Sequence, residues 1–207
     1  MEVKPIYLRK FGIDKRGTVD DRPYGGGVGM VIRADVLLKA IQKSKSTPSP
    51  SPLPRGERGR ERVILLTPQG KRFEQKMAHR LSKYDNLILV CGRYEGFDER
   101  IRKFVDEEIS VGDYVLMGGE LPALVIAEAV TRLRPGILGK DESSYAESFS
   151  ENLLEYPQYT KPEVWKVRNK IYRVPKILLS GHHKNLSDWR TKEAIKRTKK
   201  RRPDLLA

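Results

Sequence analysis

Three apolar runs in the sequence end on glycine: "LLTPQG" (Leu65–Gly70), "LVCGRYEG" (Leu89–Gly96) and "VGDYVLMGGELP" (Val111–Pro122). In an open α/β sheet, ligands sit beyond the carboxyl ends of the strands, where loops converge. Glycine there lets the main chain approach a ligand with no Cβ in the way. One glycine after a strand is usually only a turn, but three in one small sheet point to a small-molecule pocket. Apolar flanks such as Leu65, Leu116 and Leu121 suit a flat heterocycle whose edges are read by backbone amides and carbonyls. A fourth loop, "GTVDDRPYGGGVGM", places Asp20, Asp21 and Arg22 before Pro23, Tyr24 and the glycines 25, 26, 27 and 29. A purely structural turn needs neither paired acids nor an adjoining arginine, so this loop reads as mobile and functional.

Other chemistries lack their residues. There is no G-x-x-x-x-G-K-[ST] and no H-E-x-x-H, and "GGGVGM" does not fit G-x-G-x-x-G. A single cysteine, Cys91, excludes a disulfide framework and a cysteine-based zinc site.

The elements that must position these loops follow from periodicity. "RVILLTPQG", "NLILVCG" and "ISVGDYVLM" read as near-continuous apolar strands, with "YVLM" buried. Between them lie helical patterns, "ADVLLKAIQKSK", "KRFEQKMAHRLSKY", the shorter "GFDERIRKFVDE", and "ELPALVIAEAVTRL". Such alternation predicts an α/β domain with a mostly parallel sheet. Pro122 would start the last of these helices where no donor is needed, and "RPG" at 134–136 would stop it.

"STPSPSPLPRGERGRER", residues 46–62, has prolines at 48, 50, 52 and 54 and little apolar surface to bury, which predicts a flexible insert. Residues 141–160 are polar and weakly periodic and read as a linker. Residues 161–207 read as a basic helical domain: from Lys184 to Arg202 there are nine basic and two acidic residues.

The chain has 207 residues, 41 Lys+Arg against 27 Asp+Glu, and a formal net charge of +14. That excess favours a polyanionic partner, with nucleic acid the commonest. No apolar run reaches the roughly 18 residues of a membrane span, and "MEVKPIYLRKFG" lacks a signal-peptide core. A cytoplasmic protein is expected.

At the four loops together the sequence resembles the bacterial tRNA (guanine-37-N1)-methyltransferases, the TrmD family of the SPOUT class. The motifs that carry the resemblance are "TVDDRPYGGG", "CGRYEGFDER", "VGDYVLMGGELPA", "YPQYTKPEV", "LLSGHH" and "RRPDLL", in that order. They span nearly the whole chain apart from the proline-rich insert.

The resemblance implies a SPOUT-type sheet, mostly parallel, whose chain threads through itself near "CGRYEG" and "VGDYVLMGGELP" in a deep trefoil knot, a rare exception to chain topology. It also implies a small C-terminal helical domain. S-adenosylmethionine would lie bent within the knot, and the enzyme would be an obligate homodimer with each active site shared between subunits. Cofactor contacts would fall on Gly92, Val111, Gly112, Asp113, Tyr114, Val115 and Leu116, supported by Pro68, Glu95, Gly119 and Pro122. The family's general base is an Asp in a "D-S-F"-like motif. Here the matching residues are Glu147, Ser148 and Phe149, so Glu147 keeps the carboxylate with one more methylene. Asp141 and Glu142 are other carboxylates in reach. Arg132 matches the family's guanine-side arginine. Contacts to tRNA would come from Asp20, Asp21, Arg22, His182, His183, Trp189 and Arg190.

Magnesium assistance is implied as well, though no metal-ligand cluster stands out and no residue is assigned to a metal. Val28 and Gly17 depart from the family's usual proline and basic residue in the substrate loop. The family also has a leading strand–helix unit before the equivalent of "MEVKPIYLRKFG" and a last helix after "RRPDLLA". Either the natural start lies upstream or the chain is a trimmed variant. The alternative to a methyltransferase is a non-catalytic RNA-binding remnant of the same family. A nucleotide-binding protein without an RNA partner is disfavoured by the charge.

Overall fold

The run Val63-Ile64-Leu65-Leu66 is apolar at every position, and a strand tolerates that only when both its faces are covered. In the computed structural model, which describes residues 2–45, 61–137, 148–149 and 151–206, this run lies in the central strand. Strand β3 (Glu61–Arg72) is flanked by β4 (Asn86–Cys91) and β5 (Glu107–Ser110) in a three-stranded parallel sheet of order β4-β3-β5. Alternate residues serve opposite layers. Val63 and Leu65 pack with Leu37 and Ile41 of helix α1 (Ala34–Lys45), and with Ile101. Ile64 and Leu66 pack with Ala78 and Leu81 of α2 (Gln75–Leu81) and with Ile126 and Val130 of α3 (Glu120–Thr131). The expected α/β class with a parallel sheet is present.

Several details differ from the sequence-based expectations. Glu61 and Arg62 belong to β3 rather than to the insert; residues 46–60 lie outside the described residues. The strand does not stop at Gly70. Leu66 and Lys71 both face Ile109, so Thr67–Gly70 loop out before pairing resumes at Arg72↔Ser110. Helix α2 consequently begins only at Gln75. "GFDERIRKFVDE" contains a 3₁₀ helix, Glu99–Phe104, instead of an α-helix. The largest correction concerns "YVLM". Strand β5 ends at Ser110, and Tyr114 to Met117 form an exposed loop. The reason is pairing: β3 ends at Arg72, so no strand lies alongside Val111–Met117.

Two further strands, β1 (Asp20–Asp21) and β2 (Val31–Ile32), form a small antiparallel ladder around the glycine-rich loop. The contacts divide the chain into two units, Met1–Ile137 and Leu138–Ala207. The second is not purely helical. It holds an antiparallel hairpin of β6 (Val164–Val167) and β7 (Lys170–Arg173), which the weak periodicity of that region did not reveal, followed by α4 (His183–Arg201). Thr198, fully buried on α4, donates to Ala194 O and accepts from Leu154 N, each at 2.8 Å. Arg197 donates to Glu155 O at 3.1 Å. Leu154 and Glu155, expected within a linker, are thus held against α4.

Candidate active site at the strand ends

The loops leaving β4 and β5 are fastened to each other. Gly119 N donates to Gly92 O at 2.8 Å, and Arg93 and Gly118 form an isolated antiparallel bridge. A Cβ on Gly119 would stand 2.7 Å from Cys91 Cα and 2.8 Å from Gly92 N, both backbone atoms that cannot step aside. Only glycine permits this approach, and Gly119 is also the N-cap of α3. Over the junction, Arg93 Nε donates to Glu120 Oε1 at 2.8 Å. Gly118 lies directly beneath the pair: an added Cβ would meet the Glu120 carboxylate and stand 3.2 Å from Arg93 Nε.

The glycine-rich loop joins the same cluster. Glu95 N donates to Met30 O at 3.1 Å, Ile32 N to Gly96 O at 2.9 Å, and Asp98 N to Ile32 O at 2.9 Å. The Glu95 side chain rests against Gly29, where a Cβ would fall 2.6 Å from Oε1. Asp21 Oδ1 accepts from Arg22 N at 2.8 Å, and Oδ2 lies 3.5 Å from Arg33 Nη1. A structural duty therefore accounts for one of the paired acids. The bulge carrying Pro68 is anchored separately. Arg102 Nη2 donates to Gln69 Oε1 at 2.7 Å while the same guanidinium pairs with Glu108.

The loop Val111–Met117 divides its roles between side chains and main chain. Val111 packs its side chain into the α2–α3 layer. Ser110 Oγ accepts from Gly112 N at 3.2 Å and donates to Gly112 O at 3.0 Å, turning the chain out of the sheet. Tyr114 folds back over Gly112, with its hydroxyl donating to Val111 O at 3.3 Å. Among the described residues, the backbone N–H groups of Asp113, Tyr114, Val115 and Leu116 have no main-chain partner. Four consecutive N–H groups are therefore open to hydrogen-bond the edge of a ligand. Leu65, by contrast, is fully buried in the α1 layer and cannot flank a pocket, while Leu116 and Leu121 are exposed.

Pro122 sits in the first turn of α3, two residues after its start at Glu120, still where a missing N–H costs nothing. Arg132 caps the other end of that helix, about 20 Å along the axis from Gly119. It is not brought together with the strand-end loops of its own chain. Glu147, Asp141 and Glu142 lie outside the described residues. In the second unit, His182 and His183 open α4, and Arg190 stacks over Tyr156 at 5.0 Å on the same helix as the half-buried Trp189. Among the described residues, no three His, Cys, Asp or Glu side chains converge for a metal.

Sequence reasoning missed Arg93, Tyr94 and the pairing role of Glu120. Opposite charges immediately beside two glycine-containing strand ends were the available signal. Tyr94 carries a further mark: its φ of 58° is left-handed, a strained setting for an aromatic residue, and its ring is exposed. Burial pushes the Cys91 thiol up to about 11, with the Glu120 charge adding to it and Arg93 opposing. Hydrogen bonds from Arg100 hold the Asp98 carboxyl below its ordinary value.

Comparisons with known proteins show the family. The family described as tRNA (Guanine-1)-methyltransferase TrmD matches residues 1–207. A tRNA (guanine-N(1)-)-methyltransferase of Dictyoglomus turgidum is 50% identical over 206 residues, covering 100% of this chain and 78% of that protein. The enzyme of that name from Desulfitobacterium hafniense is 48% identical over 207 residues, covering 100% of this chain and 74% of that one. For the Bacillus subtilis enzyme of the same name, identity is 47% over 207 residues, with 100% and 80% covered. With glycine-stitched strand ends beside open N–H groups and this likeness over its full length, the chain belongs to the tRNA (guanine-1)-methyltransferase TrmD family.

Proposed function

We propose that this protein transfers a methyl group from S-adenosylmethionine to N1 of guanine-37 in tRNA. The observation that carries the reading is the junction of Gly92 with Gly118 and Gly119 beside the open N–H groups of Asp113–Leu116. These residues fit the cofactor. Backbone N–H groups without a main-chain partner at Asp113–Leu116 suit the edge of a purine. When bound, S-adenosylmethionine supplies an activated methyl group on a sulfonium. Gly92 and Val111–Leu116 would hold the nucleoside, with Pro68, Glu95, Gly119 and Pro122 in support.

Guanine N1 carries a proton at neutral pH, and that proton must leave before N1 can attack. Glu147 would accept it, and Arg132 would steady charge moving onto O6. Arg132 stands at the far end of α3 from Gly119, which supports a site completed by a second subunit. The exposed apolar surface supports the homodimer too: Val115 and Met117 of the loop and Leu121, Leu124 and Val125 of α3 are all more than half exposed. A patch of that kind on a loop and an adjoining helix face suits a partner. The trefoil knot would be formed where the β4 and β5 loops meet. In the second unit, His182, His183, Trp189 and Arg190 would contact the RNA, as Asp20, Asp21 and Arg22 would from the glycine-rich loop. No described helix is long and apolar enough to cross a membrane.

Calorimetry with S-adenosylmethionine, followed by methyl transfer to a guanine-37 transcript and its adenine-37 counterpart, tests the reading. Cofactor binding with transfer to guanine only is expected. Glu147→Gln should bind S-adenosylmethionine normally and lose activity by roughly 10²- to 10⁴-fold. Wild-type turnover in that variant would remove Glu147 from the reaction.

A further inference from the structure

Hairpin β6–β7 is the least covered secondary structure in the second unit. All four residues of β7 and three of the four in β6 are exposed. Its register pairs Trp165 with Tyr172 and Val167 with Lys170, and directly opposed residues share a face. That face presents a Trp–Tyr pair with ring centroids 5.7 Å apart, the two residues 60% and 50% exposed. From Val164 to Lys176 there are five basic residues, Lys166, Arg168, Lys170, Arg173 and Lys176, and no acidic one, with Glu163 just before the first strand. Arg168 stands at the turn with φ of 52°, where glycine or asparagine would be less strained, so a cation is held at the tip at a conformational cost. A cross-strand aromatic pair alone explains modest hairpin stability. It does not explain why the pair faces solvent with Lys170 on its own face and Arg168 at the adjoining turn.

We propose that this hairpin is an RNA-stacking platform: an unpaired base of the tRNA substrate stacks on Trp165 and Tyr172, while Lys170 on the same face and Arg168 at the turn hold the flanking phosphates. The combination fits single-stranded nucleic acid, which offers a π-face and a negative charge at each nucleotide. The inference deepens the tRNA-methyltransferase reading and rests on it for the identity of the RNA.

Trp165 and Trp189 are the two tryptophans of the chain, so the difference in emission between the wild type and Trp165→Phe isolates the signal of Trp165. Its emission should be quenched on titration with the guanine-37 transcript. Trp165→Leu, which keeps an apolar strand residue without a π-face, should weaken RNA binding by about fivefold or more with an unchanged salt slope. Trp165→Phe should restore most of the loss, and Lys170→Ala should reduce the salt slope by about 0.7. S-adenosylmethionine binding without RNA serves as the folding control for each variant. Unquenched emission at saturating RNA would overturn the proposal, as would wild-type affinity in Trp165→Leu. So would a blue shift with phosphatidylserine vesicles and none with RNA, which would assign the face to a lipid surface. Quenching by RNA in a protein that transfers no methyl group would sustain the platform while removing the catalytic reading.

Discussion

Arg93 and Glu120 lie 27 positions apart in the chain and meet directly, Nε to Oε1 at 2.8 Å, across the junction of the β4 and α3 loops. Glu120 is also the first residue of α3, where a negative charge favours the positive end of the helix dipole. Both side chains are about half exposed, so the pair contributes little to stability, of order 0–1 kcal/mol. Its weight is geometric. It closes over Gly118 and fixes the distance between the two loops that would enclose the cofactor.

Charge removal at either member should therefore disturb binding more than folding. Arg93→Gln and Glu120→Gln should each shift the thermal midpoint little, yet raise KM for S-adenosylmethionine, with kcat/KM falling by up to roughly 10²-fold. The reversed pair, Arg93→Glu with Glu120→Arg, should recover part of the loss. Steady-state kinetics beside thermal melts separate the two effects, and single variants with normal KM would deny the pair a positioning role.

The two adjoining glycines should respond differently to the same methyl group. Gly119→Ala drives a Cβ into the backbone of Cys91 and Gly92, which has nowhere to go. It should abolish cofactor binding and lower stability by about 1–3 kcal/mol. Gly118→Ala meets chiefly the mobile end of Glu120, so it should displace the ion pair and resemble Glu120→Gln. Denaturant unfolding and calorimetry on both variants check the contrast.

Cys91 is half-buried beneath the junction, with its thiol pushed up to about 11. At neutral pH it remains protonated, and alkylation of the folded protein should be slow. Denaturant should release it, with the rate rising towards that of a free thiol. Rapid labelling of the native protein, followed by mass spectrometry, would show that the junction opens.

Acid should act through Asp98 among others. Arg100 lowers its folded-state pKa below the ordinary 3.8, so the unfolded chain takes up a proton at a higher pH than the folded one. The stabilisation is present in full above 3.8 and lost as pH falls through the folded value. The thermal midpoint should decline below that point, and Asp98→Asn should remove part of the decline.

Much of this molecule can be read from residue order. The unbroken apolar run Val63–Leu66 fixes a central strand with both faces covered, and alternation with helical patterns fixes the α/β class. The motifs around Gly92 and Gly119 disclose the family and point to the candidate site, because close backbone approach demands glycine wherever it occurs. Tertiary structure decided the rest. Val111–Met117 looks like a strand because its composition is apolar, but a strand requires a partner, and β3 has already ended at Arg72. The β6–β7 hairpin escaped notice because it buries almost nothing, and burial is what writes periodicity into a sequence. Arg93 finds Glu120 only because two chain segments fold back to one point, and long-range proximity of that kind leaves no local trace.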